Sequence, residues 1–193
     1  MYEQVFSVKR KASSGVTLLE LLVTVTVIAA LALLVIPSWT SLSRAHARRS
    51  AIGIVMDVLE GARVTAQGTK KNVWVIFRHT GDKTPDSLRV VTIETNGATP
   101  QGNWLKLPAG ISFRGDKNTL MEETPPEDVL VACLNGKTAS SKECFGSVMF
   151  LRSGRIGVPK PGSKGLQLDF LSASGPAPGS VVLSRATGRA SYQ

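Results

Sequence analysis

Residues 16–36 read VTLLELLVTVTVIAALALLVI, 21 residues that carry a single charge, Glu20. A helix of about 20 apolar residues covers a hydrocarbon core of ~30 Å, so this run is long enough to span a bilayer. Lys9, Arg10 and Lys11 precede it, and Arg44, Arg48 and Arg49 follow it, so basic residues flank both ends. A secretory signal peptide has an apolar core of roughly 7–15 residues ending in small residues at its cut. Here Pro37-Ser38-Trp39 follow the run, and the small residue, Gly15, stands before it. A carboxylate inside an apolar span costs about 2.5–3.5 kcal/mol on insertion scales, so Glu20 calls for a partner or a position at the membrane edge. If the chain is cut after Gly15, Val16 gains an α-amino group four residues ahead of that carboxylate.

The stretch Ser14-Gly15-Val16-Thr17-Leu18-Leu19-Glu20-Leu21-Leu22 resembles the type IV prepilin N-terminal motif. In that motif Gly precedes the scissile bond and Glu is fifth in the mature chain. The one departure is Val16, where Phe is usual. Lys9-Arg10-Lys11 resembles the cytoplasmic leader, and Pro37 stands where many pilins carry a helix-weakening proline. The resemblance implies that a membrane prepilin peptidase cuts between Gly15 and Val16 and methylates the Val16 amine. It also implies that Glu20 pairs with the terminal amine of a neighbouring subunit during assembly. A bacterial inner-membrane protein with one span and a periplasmic C-terminal domain is the expected setting.

Beyond Pro37, Ile52, Val55, Met56, Leu59, Ala62 and Ala66 recur at three- and four-residue intervals, the pattern of a helix with one buried face. Gly68 is the expected stop, with Lys70 and Lys71 suited to a helix C-terminus. One interrupted helix over 16–67 is on the order of 80 Å long. Gly53 and Gly61 each cost it about 1 kcal/mol of propensity, which packing must offset. From residue 72 the period changes to two. Strands are expected at 72–79, 87–94, 111–114, 128–134, 146–152, 166–173, 180–185 and 189–192, separated by turns such as Asn96-Gly97, Asn135-Gly136 and Ser174-Gly175-Pro176. The expected fold is α+β: a leader over 1–15, a transmembrane and assembly helix over 16–37, its amphipathic continuation over 38–70, and an antiparallel sheet or small sandwich over 71–193.

Leu59 to Val73, with Gly61-Ala62-Arg63, Ala66 and Asn72-Val73, resembles the helix-to-strand junction of the GspH/FimT family of minor pseudopilins and minor pilins. Val148-Met149-Phe150, Ser153-Gly154-Arg155 and Thr187-Gly188-Arg189 are similar to that family's C-terminal strands. Two functions follow from the likeness. One is a structural subunit of a type II secretion system, joining a periplasmic fibre with other pseudopilins. The other is a type IV minor pilin that binds DNA for uptake, since some FimT-type pilins bind DNA through a Gly-Arg-x-Arg motif. This chain has Gly188-Arg189-Ala190-Ser191, so Arg185 and Arg189, with Arg152 and Arg155, are the candidate DNA contacts.

Charge leaves both open. Lys and Arg outnumber Asp and Glu by 23 to 14, a net +9, and loss of 1–15 removes three positives and Glu3 to leave +7. Such a balance favours anionic partners without choosing among them. Cys133 and Cys144 bound the segment CLNGKTASSKEC. In an exported, oxidising setting a disulfide between them would contribute roughly 3 kcal/mol; the alternative is two unpaired small residues. Neither cysteine has metal-ligand spacing to another Cys or His, and His46 and His79 are scattered, so no metal, cofactor or catalytic triad is expected. Residues 157–164, GVPKPGSK, imitate a phosphate-binding loop with Ser and Lys transposed and two prolines. Glu122, Glu123, Glu127 and Asp128 around Pro125-Pro126 read as a solvated acidic turn. The chain is expected to be a substrate of the peptidase and not itself an enzyme.

Overall fold

A computed structural model describes residues 16–81, 85–114, 119–137, 139, 143–158, 166–172 and 179–193, without the side chains of 33–41, 44, 119 and 122. The leader with Gly15, the side chain of Pro37, most of the 157–164 loop and the Ser174-Gly175-Pro176 turn lie outside the described residues. The chain divides into two compact units, Met1–Ser43 and Arg44–Gln193.

Helix α1 runs Leu18–Thr69, 52 residues, and its backbone stays helical through Pro37. Thr17 is its N-cap: the Glu20 N–H donates to Thr17 Oγ1 at 3.2 Å and the Leu21 N–H to the Thr17 carbonyl at 3.1 Å. This is the bond by which a cap residue satisfies an otherwise orphaned N–H three positions on. Thr24 and Thr26 donate their hydroxyls to the carbonyls of Leu21 (2.9 Å) and Val23 (2.8 Å). Both polar groups are thus satisfied inside the helix, the state that apolar surroundings demand. The side chains around them are apolar and bare, Leu18 being 84% exposed. Among the described residues no helix is long and apolar enough to cross a membrane; the described side chains of the apolar run end at residue 32, and those of 33–36 lie outside the description.

In the second unit, Ala51, Val55, Leu59, Ala62 and Ala66 of α1 form a fully buried stripe at helical spacing. It packs against two antiparallel sheets. The first orders β3 (Gly97–Lys106), β2 (Ser87–Glu94), β1 (Val73–His79), β5 (Cys144–Phe150) and β6 (Ile156–Val158). The second orders β4 (Ile111–Phe113), β7 (Gln167–Ser172), β8 (Ser180–Leu183) and β9 (Ala190–Tyr192). Val73, Val75 and Phe77 of β1, Val148 and Phe150 of β5, Phe113 of β4, Leu168 and Phe170 of β7 and Val181 of β8 share one core with the stripe. Phe113 joins the sheets, with its ring 5.5 Å from Phe77 and 6.0 Å from Phe170. The architecture is α+β, with three helices among the described residues.

β1 is buried on both faces because α3 (Glu127–Cys133) covers the other one, where Trp74, Ile76, Val91, Val129, Cys133 and Phe145 cluster. This corrects the expectation of a strand at 128–134. Pro126 precedes the helix, Glu127 and Asp128 occupy its first turn where the macrodipole favours anions, and Val129 and Cys133, four apart, face the sheet. The acidic turn expected here is therefore in part a helix start. Asn135 ends α3 in left-handed geometry (φ 55°), with the Gly136 N–H on the Val131 carbonyl (2.9 Å) and the Asn135 N–H on the Ala132 carbonyl (3.1 Å), a Schellman ending.

Two further departures have local causes. α1 runs one residue past Gly68 and ends on Lys70, which adopts φ 56° itself. The edge strand β3 was not expected, because Gly97, Pro100, Gly102 and Asn103 are poor strand formers; Pro is tolerated at an edge. The short strand β6 and the one-turn helix α2 (Thr119–Glu122) were not expected either.

Arg89 holds the β3 edge and α3 together. The β2–β3 register slips between Leu88 and Val90, and the Arg89 side chain, 7% exposed, fills the irregularity. Its Nε and Nη2 donate to the Gly102 carbonyl (3.0 and 2.8 Å), and its Nη1 to the Cys133 carbonyl (2.6 Å) at the end of α3 and to Asn135 Oδ1 (3.3 Å). A buried acceptor stripped of its donor costs about 1–3 kcal/mol. Arg89→Leu orphans two carbonyls and is expected to lower unfolding free energy by about 2–4 kcal/mol in urea titration; a loss below about 0.5 kcal/mol would contradict this role.

Candidate functional site

Two regions carry the residues singled out by sequence. At the N-terminus, Gly15 lies outside the described residues. Val16 is exposed and sits before the Thr17 cap, so it is outside the helix and not on the helical spiral with Glu20. The backbone N–H of Glu20 is satisfied by Thr17, while its carboxylate stands in the first turn, where the positive end of the macrodipole favours an anion. A terminal amine created at Val16 would be a cation just before that turn.

The second region is built by two tight turns that meet on α1. In the β5–β6 turn the Gly154 N–H donates to the Leu151 carbonyl (2.7 Å), and the Leu151 N–H to the Arg155 carbonyl (2.8 Å). In the β8–β9 turn the Gly188 N–H donates to the Ser184 carbonyl (2.6 Å) and the Ser184 N–H to the Arg189 carbonyl (2.8 Å). Gly154 (φ 78°) and Gly188 (φ 68°) both take left-handed geometry. A Cβ on Gly188 would collide with the Gly154 carbonyl, and one on Gly154 with the Gln67 amide. Gln67 donates its Nε2 to the Ser153 carbonyl (3.1 Å) and accepts from Arg63 Nη1 (3.3 Å). The Ser153-Gly154-Arg155 and Thr187-Gly188-Arg189 motifs, 34 residues apart in sequence, are therefore one contact in space; Gly188 is needed because a Cβ would strike the Gly154 backbone, and Gly154 because its φ is left-handed.

These turns present Arg152, Arg155 and Arg189 to solvent, with Arg185 half-buried. Arg189 is not a bare cation. It lines a cavity of about 350 Å³ with Met56, Asp57, Glu60 and Ala190. The hydrogen bonds from Arg63 hold the Glu60 carboxyl below its usual range, and the charges of Arg63 and Arg189 add to this. The same bond raises Arg63. An anion approaching Arg189 competes with two carboxylates, whereas Arg152 and Arg155 stand on the other turn.

Both cysteines carry free thiols, so the disulfide expected between Cys133 and Cys144 is not formed in this structure. The reason is the period of the strand. Cys133 packs with Trp74, Ile76 and Phe145 on the α3 face of the sheet. Cys144 precedes Phe145 in β5 and so belongs to the opposite face, where it is exposed. Burial pushes the Cys133 thiol up to about 12, with Arg89 and Arg78 opposing the shift. Arg78 pairs with Glu143 and lies 5.6 Å from the Trp104 ring centroid.

Sequence reading did not single out Asp86, yet it is 2% exposed and tied on three sides. Its Oδ2 meets His79 Nδ1 (2.9 Å) and accepts the Phe113 N–H (2.6 Å), and its Oδ1 accepts the Thr80 N–H (3.2 Å). An Asp after Pro85 in a polar connection carries no sign of burial in sequence. Among the described residues no group of three or more His, Cys, Asp or Glu side chains is placed to hold a metal ion. No protein-family model, curated protein or solved structure matches this chain.

Proposed function

We propose that this chain is a prepilin-type structural subunit, a minor pseudopilin of a type II secretion system. It is cut between Gly15 and Val16 by a prepilin peptidase, methylated on Val16 and anchored by its apolar helix in the bacterial inner membrane, with the β-rich domain in the periplasm. The observation that carries this reading is the Thr17-capped start of helix α1, whose first turn holds Glu20, the one carboxylate of the apolar run 16–36, directly beyond the Gly15-Val16 junction. A carboxylate in lipid without a cation is costly. The amine of a neighbouring subunit, held outside its own helix, removes that cost, and assembly into a fibre is the step that supplies it. Catalysis and cofactors have no part in this reading.

A second reading, a FimT-like minor pilin that takes up DNA, is favoured by the meeting of the two Gly-Arg turns. It places Arg152, Arg155 and Arg189 on one region of a basic chain. Phosphate contacts by such arginines make binding salt-dependent and weakly specific.

Glu20→Gln is expected to permit membrane insertion and cleavage while lowering co-purification with other pilin-type subunits from detergent. Recovery of partners at the wild-type level would show that Glu20 is not the assembly contact. For the second reading, duplex DNA binding by the full chain in detergent is expected to weaken steeply between 50 and 200 mM salt. Arg155→Ala should reduce it more than Arg189→Ala, which has carboxylates beside it, and Lys106→Ala should leave it unchanged. Equal, feeble binding by all three would mean that the charge is only a solvated surface.

A further inference from the structure

The β1–β5 ladder places Phe77 opposite Gly146 and His79 opposite Cys144. Side chains directly opposed in an antiparallel pair stand on the same face, with Cβ atoms roughly 4.5–5.5 Å apart. On the other flank of β1, Asp86 immediately precedes β2 and engages His79 Nδ1 at 2.9 Å. A carboxylate, an imidazole and a thiol therefore stand in order across one end of the sheet. Asp86 is buried and fixed by the Thr80 and Phe113 N–H groups. The His79 side chain is 23% exposed, and Cys144 is exposed. With Nδ1 committed to the carboxylate, Nε2 is the nitrogen left to take or give a proton. The charged residues adjoining the row are Glu143, which pairs with Arg78, and Arg114, next to Phe113.

We propose that Cys144 is a thiol–disulfide exchange site, with His79 as its base and Asp86 as the positioning residue, that accepts a disulfide-bearing partner in the exported compartment. The Cys144 S–H proton passes to His79 Nε2, and the thiolate attacks one sulfur of the partner's disulfide. That S–S bond breaks as the Cys144–partner bond forms, and the departing thiolate takes the proton back from His79. Such activation of a nucleophile by an oriented base needs no further group. Cys133 has no part in it, being buried on the opposite face among Trp74, Ile76 and Phe145. The compartment rests on the function proposed above, but the chemistry does not: exchange and processing at Gly15 are read by separate measurements, and either can fail alone.

The test uses the full chain in detergent, reduced and then freed of reductant, with 5,5′-dithiobis(2-nitrobenzoate) as the disulfide probe. One thiol is expected to react rapidly in the native chain. Cys144→Ser should abolish that phase and Cys133→Ser should retain it. His79→Gln, its fold checked by tryptophan fluorescence, should slow the reaction by at least about tenfold at pH 6.5. A native mass 2 Da low after removal of reductant, showing the two cysteines joined to each other, would overturn the proposal. A rate unaltered by His79→Gln would overturn it equally.

Discussion

The C-terminal unit depends on one packing interaction, the burial of the α1 stripe Ala51, Val55, Leu59, Ala62 and Ala66 against both sheets. Three of the five are alanine, which brings the sheet side chains close to the helix axis and lets Phe77, Phe113, Phe150 and Phe170 fill the space between layers. Full burial of a Val, Leu or Phe is worth about 1.5–3 kcal/mol each. The second sheet needs that contact most, because β4 and β9 are three residues long and β8 four. Strands so short have too few ladder bonds to hold a sheet without a hydrophobic face to pack on.

Polar anchors then fix which loops meet which layer. Arg89 ties the β3 edge to the end of α3, and Asp86 ties the β1–β2 connection to β4 of the other sheet. Both are buried charged side chains whose hydrogen bonds run mostly to backbone groups, so they specify geometry more than they add stability. The Gly154–Gly188 contact works by exclusion: the Gly188 turn reaches the Gly154 carbonyl because Gly188 carries no Cβ, while both glycines take left-handed geometry.

Much of this was legible in sequence wherever burial imposed a period. Val55, Leu59, Ala62 and Ala66 of the α1 stripe follow from their three- and four-residue spacing, although Ala51 was not among the expected residues and Ile52 and Met56 are only partly buried; β2 was placed at its observed bounds from its period, its apolar content and the turns beside it. α3 was misread because DVLVACL is a short apolar run, which periodicity cannot assign to strand or helix; Pro126 and the acidic first turn were the signals that decide it. β3 escaped notice because an exposed edge strand imposes no apolar pattern. In the site, the Gly-Arg motifs were visible one by one, but their meeting was not. Nor was the Asp86–His79–Cys144 row, which exists only through strand register. The separation of Cys133 and Cys144 was hidden for the same reason, since loop length says nothing about which face of a sheet each thiol occupies.

At the other end of the chain a few residues set the chemistry. Thr17 starts the helix, leaving Val16 outside it and Glu20 inside its first turn. A peptide bond just before such a cap can be cut without disturbing the helix, since every intrahelical hydrogen bond lies beyond it. In the function proposed here, the resulting amine meets a carboxylate from another subunit. Intact-mass measurement of the chain extracted from membranes tests this account most directly. It predicts a mature protein that begins at Val16 and carries one added methyl group, and retention of the leader when Gly15 is replaced by Leu. A mature chain beginning at Met1, or beyond Pro37, would contradict it.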